Sequence, residues 1–127
     1  MKETLVYNCE KSFLLRLGKI NIYKVEGSTV TLVQSITCYM CTYTALGSYN
    51  DKVFITVTST LYNYINIGKW IGARFIAIQA LSLIRPSVAH FHLHNELFYL
   101  SVLSGMEETV IKQLTYRGAA AFKVEER

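Results

Sequence analysis

The chain has little charge and almost no proline. Of its 127 residues only 17% are Asp, Glu, Lys or Arg, and Pro86 is the single proline. Soluble domains usually carry about 25% charged residues, whereas apolar residues make up 51% of this chain, so a disordered protein is excluded. A domain of this size has too little interior to hide that much apolar surface. The composition therefore predicts contact with another subunit, in a homo-oligomer or a larger protein assembly.

Several motifs that would identify an enzyme are missing. Gly68-x-x-x-Gly72 lacks the Lys-Ser/Thr ending of a phosphate-binding loop, and there is no G-x-S-x-G nucleophile elbow. Only Asp51 and Glu96 are acidic between Glu26 and Glu107, which leaves little for a paired-carboxylate site. These absences favour a non-catalytic protein, and no small-molecule substrate is identifiable.

The charges and cysteines limit which partners and which cellular compartment are expected. The formal charge is +4, but Lys and Arg are scattered with no run of three, so nucleic acid is not expected as a partner. The most apolar stretch, residues 70–84, contains Arg74 and Gln79 and is too short to span a membrane. Three cysteines are an odd number, which argues against a secreted disulfide framework. With no secretory signal visible, we expect a cytoplasmic protein.

One C-x-x-C pair, Cys38 and Cys41, has three interpretations. Such spacing occurs in redox sites and in zinc sites. A redox pair needs a helix N-terminus, but this segment is typical of a strand, and a lone pair is weak evidence for zinc. We interpret both cysteines, and Cys9, as small apolar side chains. Whether Cys38 and Cys41 are paired or liganded is left open by the sequence.

The first half of the chain is rich in strand signals. Residues 12–25 predict a long strand whose apolar phase changes at Gly18, where a bulge would explain the change. A turn at residues 26–28 leads to a strand in which Val30, Leu32 and Ile36 form the apolar side, so the two strands predict a hairpin. The histidine stretch predicts another strand, followed by a turn at residues 95–96 and a return strand over residues 97–103.

Two segments predict helices. Residues 68–85 contain regularly spaced alanines and end before Pro86, which favours a buried apolar helix over strands. Ser104 and Glu107 form a capping box ahead of an apolar stripe, and Gly118 suits a C-terminal cap. Phe122 and Val124 suit a last short strand. We therefore predict one α+β domain over residues 1–127, with an antiparallel sheet of five to seven strands, one buried apolar helix and a C-terminal amphipathic helix.

All three histidines fall within seven residues. On an extended chain His90, His92, His94 and Glu96 share one side, while Phe91 and Leu93 share the other. Neutral imidazole is a common ligand for divalent transition metals, so these four residues are the candidate metal ligands. Two histidines per chain would also complete a structural site where three chains meet on a symmetry axis. The alternative is a polar strand face whose other side is core.

The same stretch resembles part of the first cupin motif, a metal-binding β-barrel signature. The match consists of His90-x-His92 followed by three residues and Glu96, and it extends to Gly105. The glycine expected before the first histidine is missing, no histidine follows His94, and the predicted helices do not suit a barrel. No cupin function is carried over to this chain.

The sequence thus favours a non-catalytic structural or assembly subunit that self-associates, as a component of a large complex such as a virus particle. Its nine tyrosines support an interface role, because tyrosine suits surfaces with one apolar and one wet end. Several of them cluster, at Tyr39, Tyr43, Tyr49, Tyr62 and Tyr64. The alternative function is a small metal-dependent enzyme or metal-binding module built on the four candidate ligands.

Overall fold

The computed structural model describes residues 4–12, 17–104, 108–117 and 121–126, and it is all-β over these ranges. Eleven strands follow one another: β1 (Thr4–Ser12), β2 (Leu17–Glu26), β3 (Thr29–Tyr39), β4 (Tyr43–Tyr49), β5 (Lys52–Ser59), β6 (Tyr64–Trp70), β7 (Phe75–Ser82), β8 (Pro86–His94), β9 (Leu97–Ser104), β10 (Glu108–Arg117) and β11 (Ala121–Glu126). The predicted α+β fold with two helices is wrong. No helix long and apolar enough to cross a bilayer occurs in the ranges given above.

The strands form three antiparallel sheets. The first sheet has the order β1-β2-β3, the central sheet β4-β5-β6-β7, and the third sheet β11-β10-β9-β8. Within each sheet, strands that follow one another along the chain pair with each other, since turns can join antiparallel neighbours directly. Two of these turns, at Asn50-Asp51 and Asn95-Glu96, place both residues at positive φ, which is the backbone of a two-residue type I′ hairpin.

Strand β5 of the central sheet is buried on both faces. In β5 the side chain of Phe54 packs towards the third sheet, against Phe91 and Phe98, and Ile55 packs towards the first sheet, against Ile20 and Ile22. Every residue of β5 from Phe54 to Ser59 is buried. A strand covered on both sides has to be apolar or small at nearly every position, which explains why residues 53–59 are all Val, Phe, Ile, Thr or Ser.

Residues 68–85 form strands instead of the predicted buried helix. Gly68 lies in β6, and β7 pairs with β6 from Trp70↔Phe75 to Tyr64↔Ser82. A register shift between Ile67 and Gly68 lets the two strands stay paired. The apolar residues are instead accommodated in paired strands. Pairing with the neighbouring strand outweighed the helix preference that the alanine spacing indicated.

The predicted C-terminal amphipathic helix is also wrong. Residues 108–117 are strand β10, which pairs with β9 (Val110↔Val102) and with β11 (Leu114↔Val124). The β-branched run Thr109-Val110-Ile111 suits a strand. Glu107 and Gly118, which marked the predicted helix ends, lie outside the described residues. The predicted last strand over Phe122 and Val124 is confirmed as β11.

The early hairpin is confirmed, but its bulge lies elsewhere. Strands β2 and β3 pair from Leu17↔Tyr39 to Glu26↔Thr29, and the register shifts next to the pair Ile22↔Gln34, where Val33 has no partner in the ladder. The predicted continuous strand over residues 12–25 is instead the end of β1 and then β2, which pair with each other. The phase change near Gly18 therefore marks two antiparallel strands.

Gly47 lies at a close approach between the central and third sheets. A Cβ atom built on Gly47 would lie 2.6 Å from the Phe91 Cβ atom and 2.7 Å from its Cγ atom. Such separations are well inside van der Waals contact, so only glycine lets β8 cross β4 at this point.

We expect Gly47→Ala to lower the free energy of unfolding by about 1–3 kcal/mol, because the methyl group forces Phe91 and β8 apart. Urea denaturation would measure the change. Gly18→Ala is the matched control, since its Cβ would lie 3.3 Å from the Cys38 Sγ atom and needs a smaller adjustment. A loss for Gly47→Ala no larger than that for Gly18→Ala would contradict the steric argument.

Two threonine hydroxyls are buried in the central sheet without a partner. Thr56 and Thr58 are fully buried, and neither Oγ1 atom makes a hydrogen bond within the part of the chain that the structure describes. Thr60 differs, because its Oγ1 atom donates to the Pro86 carbonyl oxygen at 2.6 Å.

Removing an unpaired buried hydroxyl relieves its desolvation cost. We therefore expect Thr56→Val and Thr58→Val to leave the free energy of unfolding unchanged or to raise it by about 1 kcal/mol. Thr60→Val should lower it by about 1 kcal/mol, since a paired group is lost. Urea denaturation of the three variants tests this, and a greater loss for Thr56→Val than for Thr60→Val would be the contrary result.

Candidate functional site

The structure places the three histidines on one face of the third sheet. The predicted strand, turn and return strand are confirmed as β8, residues 95–96 and β9. His90 and His94 are exposed and His92 is half-buried. On the opposite face Phe91 is buried in the core. Leu93 is 58% exposed, so its predicted place in the core is wrong.

The histidine rings stack instead of converging on a point. The ring centroids of His90 and His92 lie 6.0 Å apart with their planes inclined by 12°. The His92 ring also stacks on Tyr99 at 5.6 Å, and its Nε2 atom lies 2.7 Å from the Ser101 Oγ atom. The His94 ring covers the other side of Tyr99 at 6.5 Å. These contacts hold Tyr99 at 7% exposure although it lies on an outer face.

This geometry does not gather the four candidate ligands around one ion. Glu96 lies in the turn after β8 and not on the strand. No group of three or more His, Cys, Asp or Glu side chains within the described ranges could hold a metal ion. An ion at His90 and His92 would therefore need ligands from outside the described residues of this chain.

The cysteines have a different arrangement from the one predicted. Cys38 and Cys41 are joined by a disulfide, with their Cα atoms 5.8 Å apart. Cys9 is a free, exposed cysteine. The interpretation of Cys38 and Cys41 as separate apolar side chains is therefore replaced by a bonded pair. Disulfides are characteristic of oxidising compartments and of redox-active pairs, and the cytoplasmic setting stays a prediction.

A contiguous apolar patch covers one end of the outer face of the first sheet. Register places Val6, Tyr23 and Leu32 in one cross-strand row, and Val25 and Val30 in the next. Val6 is 41% exposed, Leu32 54% and Val30 60%. We call these five residues the outer patch; none of them is charged.

Sequence reasoning missed the outer patch because of the bulge at Val33. Simple alternation puts Val30 and Leu32 on the same side as Ile36, which packs against the core. The extra residue between Leu32 and Gln34 reverses the faces. Val30 and Leu32 therefore point outwards, while Ile36 and Gln34 lie on the side facing the central sheet.

Glu96 has a backbone conformation that non-glycine residues avoid, with φ at 64°. We expect Glu96→Gly to raise the free energy of unfolding by about 0.5–1 kcal/mol, because glycine adopts the left-handed region at little steric cost. Urea denaturation would measure this. Asn95→Gly is the control and should change stability less, since asparagine tolerates this region. If Glu96→Gly were destabilising, its carboxylate would have a role that the turn geometry does not provide.

Comparison of the sequence with models of known protein families and with curated proteins finds no match for this chain. Its function is therefore inferred from its own surfaces. Two features stand out: the outer patch on the first sheet, and a cleft between the first and central sheets.

Proposed function

We propose that the protein is a non-catalytic subunit that associates with a second copy of itself through the outer face of the first sheet. The observation that carries this proposal is the outer patch, in which Val6, Val30 and Leu32 are between 41% and 60% exposed. Contiguous exposed apolar side chains mark interaction surfaces. The excess of apolar residues in the whole chain supports the same interpretation.

A second copy suits this patch because an isologous interface has to match itself. In a two-fold arrangement the same patch meets its own counterpart. A patch of Val, Leu and Tyr without charges is self-complementary, since no like charges are brought together. The nearest charged cross-strand pair on this face, Glu10 and Lys19, lies beyond the polar row of Asn8, Asn21 and Ser35. It would stay in water at the rim.

The area of the outer face limits the expected affinity of the dimer. The whole outer face, with three strands about 4.8 Å apart and about ten residues long, presents at most roughly 450 Å². Two such faces bury at most about 900 Å² on packing, which is below the 1,200 Å² or more typical of stable complexes. We therefore expect a reversible dimer that forms at micromolar or higher concentration. A place in a larger complex such as a virus particle stays a prediction.

The test is a concentration series by sedimentation equilibrium on the wild type and on two matched variants. Leu32→Lys places a charge in the outer patch and should raise the dimer dissociation constant at least tenfold. Leu93→Lys is the control, because Leu93 is a strand leucine with 58% exposure on a different sheet, close to the 54% of Leu32. It should leave the dissociation constant unchanged.

A wild-type protein that stays monomeric up to millimolar concentration would overturn the proposal. So would a dimer that Leu93→Lys weakens and Leu32→Lys does not. Elemental analysis of the same samples tests the alternative metal-binding function. Metal at one-third of an equivalent per chain in a trimer, lost in His90→Ala/His92→Ala, would assign the association to the histidine face.

A further inference from the structure

A cleft of about 290 Å³ lies between edge strand β3 of the first sheet and strands β5, β6 and β7 of the central sheet. Its walls are mainly apolar, with Ile36 and Cys38 on one side and Ile55 and Val57 on the other. This volume is close to the lower limit of the range of about 300–1,000 Å³ for small-ligand sites, so the cleft has room only for a small molecule.

The cleft exists because the first sheet is narrower than the central sheet. Three strands cover four, and the residues that β6 and β7 present on this side of the cleft include Gly68 and Ala77. Larger side chains at these positions would fill the space. The missing fourth strand therefore leaves a defined groove at the edge of the core.

Gln34 fixes one end of this cleft. Its Nε2 atom donates to the Phe75 carbonyl oxygen at 3.1 Å, and the Phe75 backbone N–H donates to its Oε1 atom at 2.6 Å. The side-chain amide thus pairs with the edge of β7 as a neighbouring strand would. This two-point link holds β3 at a set distance from β7, so the cleft is preformed, as small-molecule sites usually are.

Asn66 supplies an unused amide in the cleft. It lies in β6 opposite Val57, so both side chains are on the side of the sheet that faces β3. Asn66 is half-buried and lines the cleft. Its side chain makes no hydrogen bond to the described residues. A carboxamide presents a donor and an acceptor side by side in one plane.

We infer that this cleft binds a small planar molecule whose edge carries an adjacent hydrogen-bond donor and acceptor, as in a cyclic amide. The apolar part of the lining contacts the ring, and the Asn66 amide pairs with its polar edge. Recognition of a donor–acceptor edge by asparagine is geometrically the same as its bidentate pairing with a base edge. The site is independent of the outer patch and of the proposed self-association.

The probe for this site is 2-quinolone, a planar bicyclic lactam. Its binding is measured by titrating it into the full-length ¹⁵N-labelled protein and recording ¹H–¹⁵N NMR spectra. We expect saturable shifts confined to the cleft, at the amides of residues such as Asn66, Gly68 and Phe75. From the number of ligand atoms the dissociation constant should lie at about 0.1–1 mM. N-methyl-2-quinolone keeps the ring and the acceptor but lacks the donor, and it should bind at least tenfold more weakly.

Three variants locate the interaction. Asn66→Ala should weaken 2-quinolone binding at least tenfold, because the paired amide is lost. Ala77→Phe should abolish it by filling the cleft. Asn8→Ala is the matched control, since Asn8 is an exposed asparagine on β1 outside the cleft, and binding should not change.

Equal binding of N-methyl-2-quinolone and 2-quinolone by the wild type would overturn the inference, because the cleft would then select apolar shape alone. This arm needs no variant and holds even if Asn66→Ala fails to fold. Shifts that do not saturate, or that persist in Ala77→Phe, would also overturn it. A protein that stays monomeric but binds 2-quinolone as described would contradict the proposed self-association and support the ligand site.

Discussion

The structure depends on a central sheet whose strand β5 is covered on both faces. Strand β5 contributes Phe54 to the core shared with the third sheet and Ile55 to the core shared with the first sheet. A strand in this position has no solvent face, so its polar groups must be small or paired. The 51% apolar content follows from this arrangement, because two separate cores are built from one short chain. Less of the apolar surplus is left for partners than composition alone suggests.

Because the three sheets pack closely on one another, a glycine is needed at position 47, and side chains of the first sheet form hydrogen bonds to the central sheet. Gly47 leaves room for the Phe91 side chain where the central and third sheets approach each other closely. Tyr7 reaches from β1 to donate its hydroxyl to the Thr44 carbonyl oxygen at 2.8 Å. Partial burial raises the pKa of the Tyr7 phenol, and the Cys9 thiol adds in the same direction. Together with the Gln34 link, these contacts hold the first sheet at a fixed angle, and the cleft beside β3 is a consequence of that placement.

Neither proposed surface was predicted from the sequence, for a local reason in each case. The bulge at Val33 reverses the faces of β3, so residues that alternate with the core side come to lie outside. Asn66 was not distinguished from other polar strand residues. Its side of β6 is left partly uncovered only because the first sheet has three strands and the central sheet has four. The histidine row was predicted from spacing, and β8 does present it on one face. The ring stacking and the separate position of Glu96 depend on Tyr99 and on the turn.

The sequence by itself determined the local strands of the early hairpin, the histidine hairpin and the last short strand, because alternation and turn residues are encoded over a few positions. Tertiary structure decided whether residues 68–85 and 108–117 became helices or strands. A mainly apolar segment such as residues 68–85 suits either periodicity, and the neighbouring strand that pairs with its backbone decides between helix and strand. The division of the strands into three sheets, and with it every surface the protein offers, was decided in the same way.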